Sequence, residues 1–288
     1  MDTTPAPRRT LLVGFGKLGA RLAPRLLADG GEVFALRRSD GELPAGVVGI
    51  RADLSQPLTA ALPSVDAVVI TLPPGDAEGA YRTALGHLRD ALPAMPARTV
   101  FVSSTGVFEG SVFEGTVFEG AEADRPLTEQ DEPAAETARS RGLRDGERAA
   151  TELFDAVVVR PAGIYGPGRE FLLRKVREGA AVDHTRLTNR IHETDLVRTL
   201  DLLLRTDDPP RLVHAVDERP APLGDVVRFI AGELGVAAPP HEASDGPRGF
   251  VYDGSLLHSL LHSLLWRLDY PTYEEGYAEM IAGSASHP

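Results

Sequence analysis

Short runs of β-branched and other apolar residues alternate with helical patterns through the first 160 residues of the chain. This alternation is typical of a parallel sheet with helices on both faces. Six strands are predicted, at Thr10–Val13, Glu32–Leu36, Val47–Ile50, Ala67–Thr71, Thr99–Val102 and Ala156–Val159. Helices are predicted between them at Leu18–Ala28, Ala77–Leu92 and Arg139–Leu153. The fold class is therefore α/β, with a doubly wound parallel sheet whose ligands should bind beyond the carboxyl ends of the strands.

The pattern changes after Arg160, where loop residues are followed by scattered elements. Helices are predicted near Glu170–Glu178, Glu193–Leu204, Leu223–Leu234 and Ser255–Leu265, and a strand at Leu212–Ala215. These elements are too few for an independent domain with a large core. We expect a cofactor-binding domain over residues 1–165 and a smaller C-terminal substrate lobe over 166–288, partly interleaved with the first, that closes over the mouth of the sheet.

Composition excludes several classes of function. A net charge of −12 over 288 residues disfavours a nucleic-acid partner or a polybasic membrane-surface protein. The absence of cysteine excludes disulfides, thiolate zinc sites, iron–sulfur clusters and cysteine nucleophiles. The first ten residues lack the apolar centre of a secretion signal, and no segment approaches the roughly 20 apolar residues of a membrane-spanning helix. We therefore expect a cytoplasmic protein.

A glycine motif, Gly14-Phe15-Gly16-Lys17-Leu18-Gly19, follows the first strand and opens the first helix. In this context Gly14 permits a tight turn, Gly16 lets a pyrophosphate approach the backbone, and Gly19 lets the helix pack closely on the sheet. The amino terminus of the helix offers free amide groups to the phosphates. The motif predicts a Rossmann-type dinucleotide site, and the alternative is a purely structural turn.

The end of the second strand bears on which dinucleotide binds. An acidic residue there would bond a free ribose 2′-hydroxyl, but this strand runs into Arg37-Arg38-Ser39. Guanidinium groups can grip a 2′-phosphate, so NADP(H) is predicted in preference to NAD(H), unless both arginines only face water. Asp53, followed by Leu54, either accepts a bond from the adenine amino group or caps the next helix. Leu72 and Pro73 should line the cleft.

Two short internal repeats are present. VFEG occurs at 107–110, 112–115 and 117–120, and its odd period with three glycines predicts a mobile flap. SLLH occurs at 255–258 and 259–262, a spacing that lengthens a helix. Tandem duplication alone would leave both repeats. His258 and His262 lie one turn apart, but no further ligand accompanies them, so no metal site is predicted.

The chain resembles the extended short-chain dehydrogenases/reductases, in the branch of the NAD(P)-dependent epimerases and dehydratases. The resemblance rests on the glycine motif, Arg37-Arg38 and Asp53-Leu54, together with three further segments, at Phe101–Phe108, Arg160–Arg169 and Ile191–Leu196. It implies a nicotinamide cofactor, a small-molecule substrate bound between two lobes, and a serine or threonine after the fifth strand, which is Ser104 here. Family members are often dimers, so a homodimer is a further expectation.

The chain also departs from the family. Its members carry a tyrosine that relays a proton and, four positions later, a lysine that lowers the tyrosine pKa and holds the nicotinamide ribose. No tyrosine occurs between Arg82 and Ile164, and no lysine between Lys17 and Lys175. Spacing back from Glu147 places the two missing residues near Arg139 and Leu143. The chain therefore resembles the atypical members that bind nucleotide but lack this pair.

Three residues remain candidates for chemistry. Ser104 either bonds a substrate oxygen or only terminates its strand. Tyr165, with Arg169 four positions on, is a substitute acid or an aromatic residue that packs the hinge. His192 supplies acid–base chemistry or, with Asp195, a structural hydrogen bond. Two functions remain open. The first is an NADP(H)-dependent oxidoreductase or epimerase that acts on a small carbonyl or sugar-nucleotide-like substrate, and the second is a catalytically silent redox sensor or scaffold. A metal-dependent hydrolase has little support.

Overall fold

The computed structural model describes residues 6–73, 75, 78–111, 125–243 and 249–285. Its main sheet has seven strands in the order β10-β6-β5-β4-β1-β2-β3, and every pairing from β6 to β3 is parallel. Those six strands follow the doubly wound order, so the predicted α/β fold class is confirmed. The strands are β1 (Arg9–Val13), β2 (Glu32–Arg37), β3 (Val47–Arg51), β4 (Ala67–Ile70), β5 (Arg98–Val102), β6 (Val157–Pro161) and β10 (Leu212–Ala215).

The remaining elements are four short strands and eight α-helices in the described part of the chain. The short strands are β7 (Gly163–Tyr165), β8 (Leu187–Thr188), β9 (Arg190–His192) and β11 (Ala221–Pro222), with β7 beside β9 and β8 beside β11. The helices are α1 (Lys17–Ala28), α2 (Ala80–Ala91), α3 (Ala138–Phe154), α4 (Phe171–Arg177), α5 (Glu193–Arg205), α6 (Leu223–Leu234), α7 (Ser255–Ser263) and α8 (Tyr273–Ala285). A single 3₁₀ turn spans Thr105–Phe108. Among the described helices, none is both long and apolar enough to cross a membrane.

Two features of the sheet differ from expectation. The strand at Leu212–Ala215 was expected in the C-terminal lobe, but it is the seventh strand of the main sheet, next to β6. Strand β3 was predicted from an apolar run in a sheet covered by helices on both faces, but it lies at the sheet edge and most of its residues are exposed, Val48 among them. Both differences arise because strand order depends on long-range pairing, which a local run of residues does not encode.

The chain divides into two compact units. The first contains the residues up to 111, 132–160 and 197–213, and the second contains the rest. The predicted boundary at 165/166 falls inside a segment, 161–196, that belongs to the second unit. The core of the first unit lies on the sheet and includes Leu11, Val68, Leu85 and Phe101, whereas that of the second is formed by helical residues and tyrosines.

The repeats have ordinary structural roles where the structure describes them. Val107 and Phe108, from the first VFEG copy, are buried in the 3₁₀ turn and are not part of a flap. The other two copies lie outside the described residues. Both SLLH copies form α7, and His258 Nε2 lies 3.0 Å from the carbonyl oxygen of Val216. Within the described ranges, no group of three His, Asp or Glu side chains is arranged to hold a metal ion.

Candidate functional site

The turn after β1 is held between the ends of two neighbouring strands. Gly14 has φ +80°, and a Cβ at this position would lie 3.0 Å from the backbone carbon and oxygen of Thr71. The Gly14 amide donates to Leu36 O at 3.0 Å, and Thr71 Oγ1 donates to Gly14 O at 2.6 Å. Position 14 therefore requires glycine for both its conformation and its close contact with β4.

Gly16 leaves the backbone open where α1 begins. It is the N-cap of the helix, and only the carbonyl oxygen of Gly14, at 3.9 Å, lies within 4 Å of where its Cβ would be. The amides of the first turn of α1 are thus accessible to an anion. At Gly19 a Cβ would meet the Phe15 ring at 3.0 Å, so the helix start leaves no room for a side chain there. The close packing of this position on the sheet stays a prediction.

A cleft of about 480 Å³ extends from this turn along the carboxyl ends of β1, β2 and β4. Such a volume lies within the range of small-molecule sites. Its lining includes nine of the residues predicted for the cofactor, namely Gly14, Phe15, Gly16, Arg37, Arg38, Asp53, Leu54, Leu72 and Pro73. The other three are not in the lining: Lys17 begins α1 as an exposed residue, Leu18 is buried, and Gly19 lies against Phe15.

Arg37, the last residue of β2, and Arg38, which follows it, line one end of the cleft. The Arg37 guanidinium donates to the carbonyl oxygens of Gly41 and Glu42, the latter at 3.5 Å, so the loop that follows positions it. Arg38 is exposed, and its charge contributes to lowering the pKa of Asp53. The cleft therefore has a positively charged end.

Asp53 forms a local turn and does not cap a helix. Its Oδ1 accepts the backbone amide of Ser55 at 2.9 Å, and this hydrogen bond is the main reason that the pKa of Asp53 is lowered. The next helix, α2, begins only at Ala80, so the capping alternative is wrong. The carboxylate remains at the cleft wall, beside Leu54.

Sequence reasoning missed Tyr81, which lines the cleft from the first turn of α2. Its hydroxyl donates to Leu72 O at 2.9 Å, and its ring packs edge-on against Phe101. Burial, reinforced by the charge of Glu147, raises its pKa above the usual range of a phenol. Its apolar position in α2 resembles any core residue of a helix, so only the strand order reveals its place.

The side chains of Leu143 and Arg139 lie beside Ser104, at the carboxyl end of β5. The point that a Gly106 Cβ would occupy lies 3.3 Å from Ser104 Oγ, 3.5 Å from Leu143 Cδ1 and 3.9 Å from Arg139 Nε. Ser104 Oγ accepts the Gly106 amide at 3.0 Å and so caps the 3₁₀ turn. The positions of the missing tyrosine and lysine therefore adjoin Ser104, but an arginine and a buried leucine occupy them.

A buried ion pair supports this part of the first unit. Glu147 receives hydrogen bonds from Arg160 Nε at 2.9 Å and Arg160 Nη2 at 2.7 Å, and from Ser103 Oγ at 2.6 Å. The Arg160 guanidinium also lies over the Phe108 ring, 5.1 Å from its centroid. Because the network ties α3 to the segments after β5 and at the end of β6, it fixes the backbone that carries Ser104.

Tyr165, in the second unit, has the contacts of a packing residue. It is buried, its hydroxyl donates to Thr272 O at 3.2 Å, and its ring lies against Tyr277. Burial raises its pKa above the ordinary range of tyrosine, and Arg169, the cation proposed to lower it, instead pairs with Glu193 at 3.2 Å. These contacts are those of an aromatic residue packed inside the second unit, and they favour a packing role over the proton relay.

His192 is likewise enclosed within the second unit. Its Nδ1 accepts the Thr194 amide at 3.3 Å, and its ring lies 3.8 Å from the Tyr270 ring, centroid to centroid. Asp195 accepts the amides of Asp269 at 2.7 Å and Tyr270 at 2.9 Å, which holds Tyr270 against the imidazole. The structural alternative for His192 and Asp195 agrees with these contacts.

No protein-family model and no curated protein sequence matches the chain. Solved structures do match it over nearly its whole length. A protein of Methylobacillus flagellatus, named as belonging to the NAD-dependent epimerases/dehydratases, is 29% identical with a TM-score of 0.76, and the match covers 98% of this chain and 100% of that one. MoeE5 in complex with UDP-glucose and NAD is 21% identical with a TM-score of 0.73, covering 96% and 99%. The Bordetella bronchiseptica enzyme WbmG, with NAD and UDP, is 15% identical with a TM-score of 0.73, covering 98% and 95%. The structural neighbours are thus epimerase/dehydratase family members, as the sequence resemblance predicted.

Proposed function

We propose that the chain binds NADP(H) in the cleft of the first unit and acts as an oxidoreductase or epimerase on a small carbonyl or sugar-nucleotide-like molecule. The observation that carries the proposal is the cleft itself, which combines an open glycine turn at a helix amino terminus with two arginines at the end of β2. The amides at Gly16 suit a diphosphate, and Asp53 suits the adenine amino group. When bound, a nicotinamide would supply hydride transfer, while the residues of this chain bind and orient it.

The arginines distinguish the two dinucleotides. MoeE5 and WbmG hold NAD in their solved complexes. In this chain the strand end that would bear an acidic residue for NAD carries Arg37 and Arg38, and the Gly41 and Glu42 carbonyls already orient Arg37. A pre-positioned guanidinium loses little side-chain freedom when it pairs with a 2′-phosphate. NADPH should therefore bind more tightly than NADH.

Calorimetric titration of both dinucleotides tests this preference. Arg37→Asp should weaken NADPH binding on the order of 10- to 100-fold, because a charge-assisted hydrogen bond is lost and a like charge faces the phosphate. NADH, which lacks that phosphate, should lose far less affinity and is the matched control ligand. Equal loss for both ligands, or no loss for either, would remove the assignment.

The replaced catalytic pair supports a second candidate function, a redox sensor or scaffold that binds NADP(H) without turnover. With Arg139 and Leu143 in those positions, neither position supplies a phenol or an ammonium beside Ser104. Absorbance of NADPH followed with a panel of ketones and sugar nucleotides separates the two functions, with Ser104→Ala as the control for a serine-dependent reaction. Turnover lost in Ser104→Ala supports an enzyme, whereas NADPH binding without turnover of any compound supports the sensor.

A further inference from the structure

A guanidinium stands where the family has its tyrosine. Arg139 Nε and Ser104 Oγ both lie within 4 Å of one point, above Gly106 at the carboxyl end of β5. Strand β5 pairs with β4, whose following residues Thr71, Leu72 and Pro73 line the cofactor cleft. The positive charge of Arg139 also acts on the cleft wall, where it opposes the rise in the pKa of Tyr81.

This positive charge is not neutralised by an ion pair within the described residues. Arg144, also on α3, pairs with Glu132, and the nearby carboxylate of Glu147 is occupied by Arg160 and Ser103. Arg139 itself is exposed and forms no salt bridge in the described part of the chain. A solvent-accessible cation therefore lies beside a hydroxyl, next to the cleft.

Arginine cannot perform the task of the residue it replaces. A guanidinium stays protonated at all ordinary pH values and has no acceptor, so it does not relay a proton. Its planar fork is suited to binding two oxygen atoms of an anion. Leu143, buried where a lysine would add a second cation, contributes no charge at this point.

We propose that Arg139 and Ser104 form a carboxylate subsite, so that the substrate is a small molecule that carries a carboxylate beside its reacting carbonyl. One guanidinium compensates one negative charge, which favours a carboxylate over a doubly charged phosphate. The Ser104 hydroxyl is placed to hydrogen-bond one of the oxygens. The inference rests on the proposed function, because it names the substrate class of that site.

Ligand-observed NMR with pyruvate as the probe tests the subsite, both with and without NADPH. Wild type should bind pyruvate on the order of tenfold more tightly than Arg139→Gln, the loss expected for one partly screened charge-assisted hydrogen bond. Arg139→Lys should recover part of the affinity. Methyl pyruvate, which has no charge, should bind wild type and Arg139→Gln equally weakly.

Two controls separate this inference from its alternatives. Arg148→Gln, an exposed position on the same helix, should bind pyruvate and NADPH like wild type. Equal pyruvate affinity in wild type and Arg139→Gln, or no saturable pyruvate binding to wild type, overturns the subsite. The subsite is also overturned if inorganic phosphate binds in an Arg139-dependent way with higher affinity than pyruvate. If NADPH fails to bind wild type while pyruvate binding still depends on Arg139, the proposed function fails and the subsite stands.

Discussion

Asp217 is a buried carboxyl group that should make the stability of the second unit depend on pH. It is 3% exposed, and its Oδ1 accepts the Arg219 amide at 3.2 Å. Its Oδ2 has no hydrogen-bond partner among the described residues. Burial raises the pKa of Asp217 to about 7, with Glu218 and Glu275 adding to the rise and Arg190 opposing it.

The direction of the effect follows from proton linkage. The same carboxyl has a pKa near 3.8 in the unfolded chain, so between that value and about 7 the folded chain binds the proton more tightly. The contribution of Asp217 to stability is therefore present at low pH and is lost as pH rises through this window. A shift of about three pKa units corresponds to roughly 4 kcal/mol. We therefore expect the free energy of unfolding to fall by about 2 to 4 kcal/mol as pH rises through this window.

Urea unfolding of wild type and Asp217→Asn at pH 5, 6, 7 and 8 measures this loss. Asparagine can still accept the Arg219 amide but does not ionise, so any cost of its buried NH₂ group is the same at every pH. The difference in unfolding free energy between wild type and variant should shift by about 2 to 4 kcal/mol across the series, in favour of the variant at high pH. Asp208→Asn, at an exposed position, is the control and should follow wild type. Parallel profiles for wild type and Asp217→Asn would refute the reasoning.

Three further substitutions test the site and its support. Glu147→Gln should lower the free energy of unfolding by about 3 kcal/mol, because Arg160 is left as a buried charge without its counterion; a loss below about 1 kcal/mol in urea unfolding would contradict this. Gly14→Ala should lose about 1 to 2 kcal/mol for the left-handed backbone alone and more from contact with Thr71, and it should also abolish NADPH binding in calorimetry. Tyr165→Phe should lose about 1 kcal/mol of stability and leave any turnover unchanged; a loss of turnover at unchanged stability would restore its catalytic role.

Local patterns were sufficient to predict most elements of the sheet. Continuous apolar runs such as 67–70 are buried on both faces, so their bounds agree with the prediction to within a residue or two. Helix α8 was missed, although Tyr273, Tyr277 and Met280 have helical spacing and are buried. Gly276 and Gly283 weaken the helix propensity of this segment. Gly276 is needed because the Tyr165 ring occupies the space that a side chain at this position would fill.

The parts of the cleft that lie where a strand ends were predictable, and the part that a helix contributes was not. The glycine turn and the arginines lie in single segments whose spacing implies their geometry. Tyr81 reaches the cleft from helix α2, and its residue type carries no sign of that position. At Gly19 the atoms nearest to where a Cβ would be belong to Phe15 of the same turn, so this glycine is required locally as well.

The surroundings of Ser104 show which part of a site spacing can predict. Glu147 lies two helical turns after Arg139, and its bonds to Arg160 and Ser103 fix the register of α3 against the strand ends. Any side chains at positions 139 and 143 would therefore adjoin Ser104, whatever their chemistry. Because an arginine and a leucine stand there, positions 139 and 143 present a fixed positive charge and an apolar side chain to this point, and neither side chain can transfer a proton. The charge and polarity that a ligand meets beside Ser104 are therefore determined by the side chains at positions 139 and 143, which the packing of α3 does not dictate. Substituting either residue should change which ligand binds, while the Glu147 network and the fold remain intact.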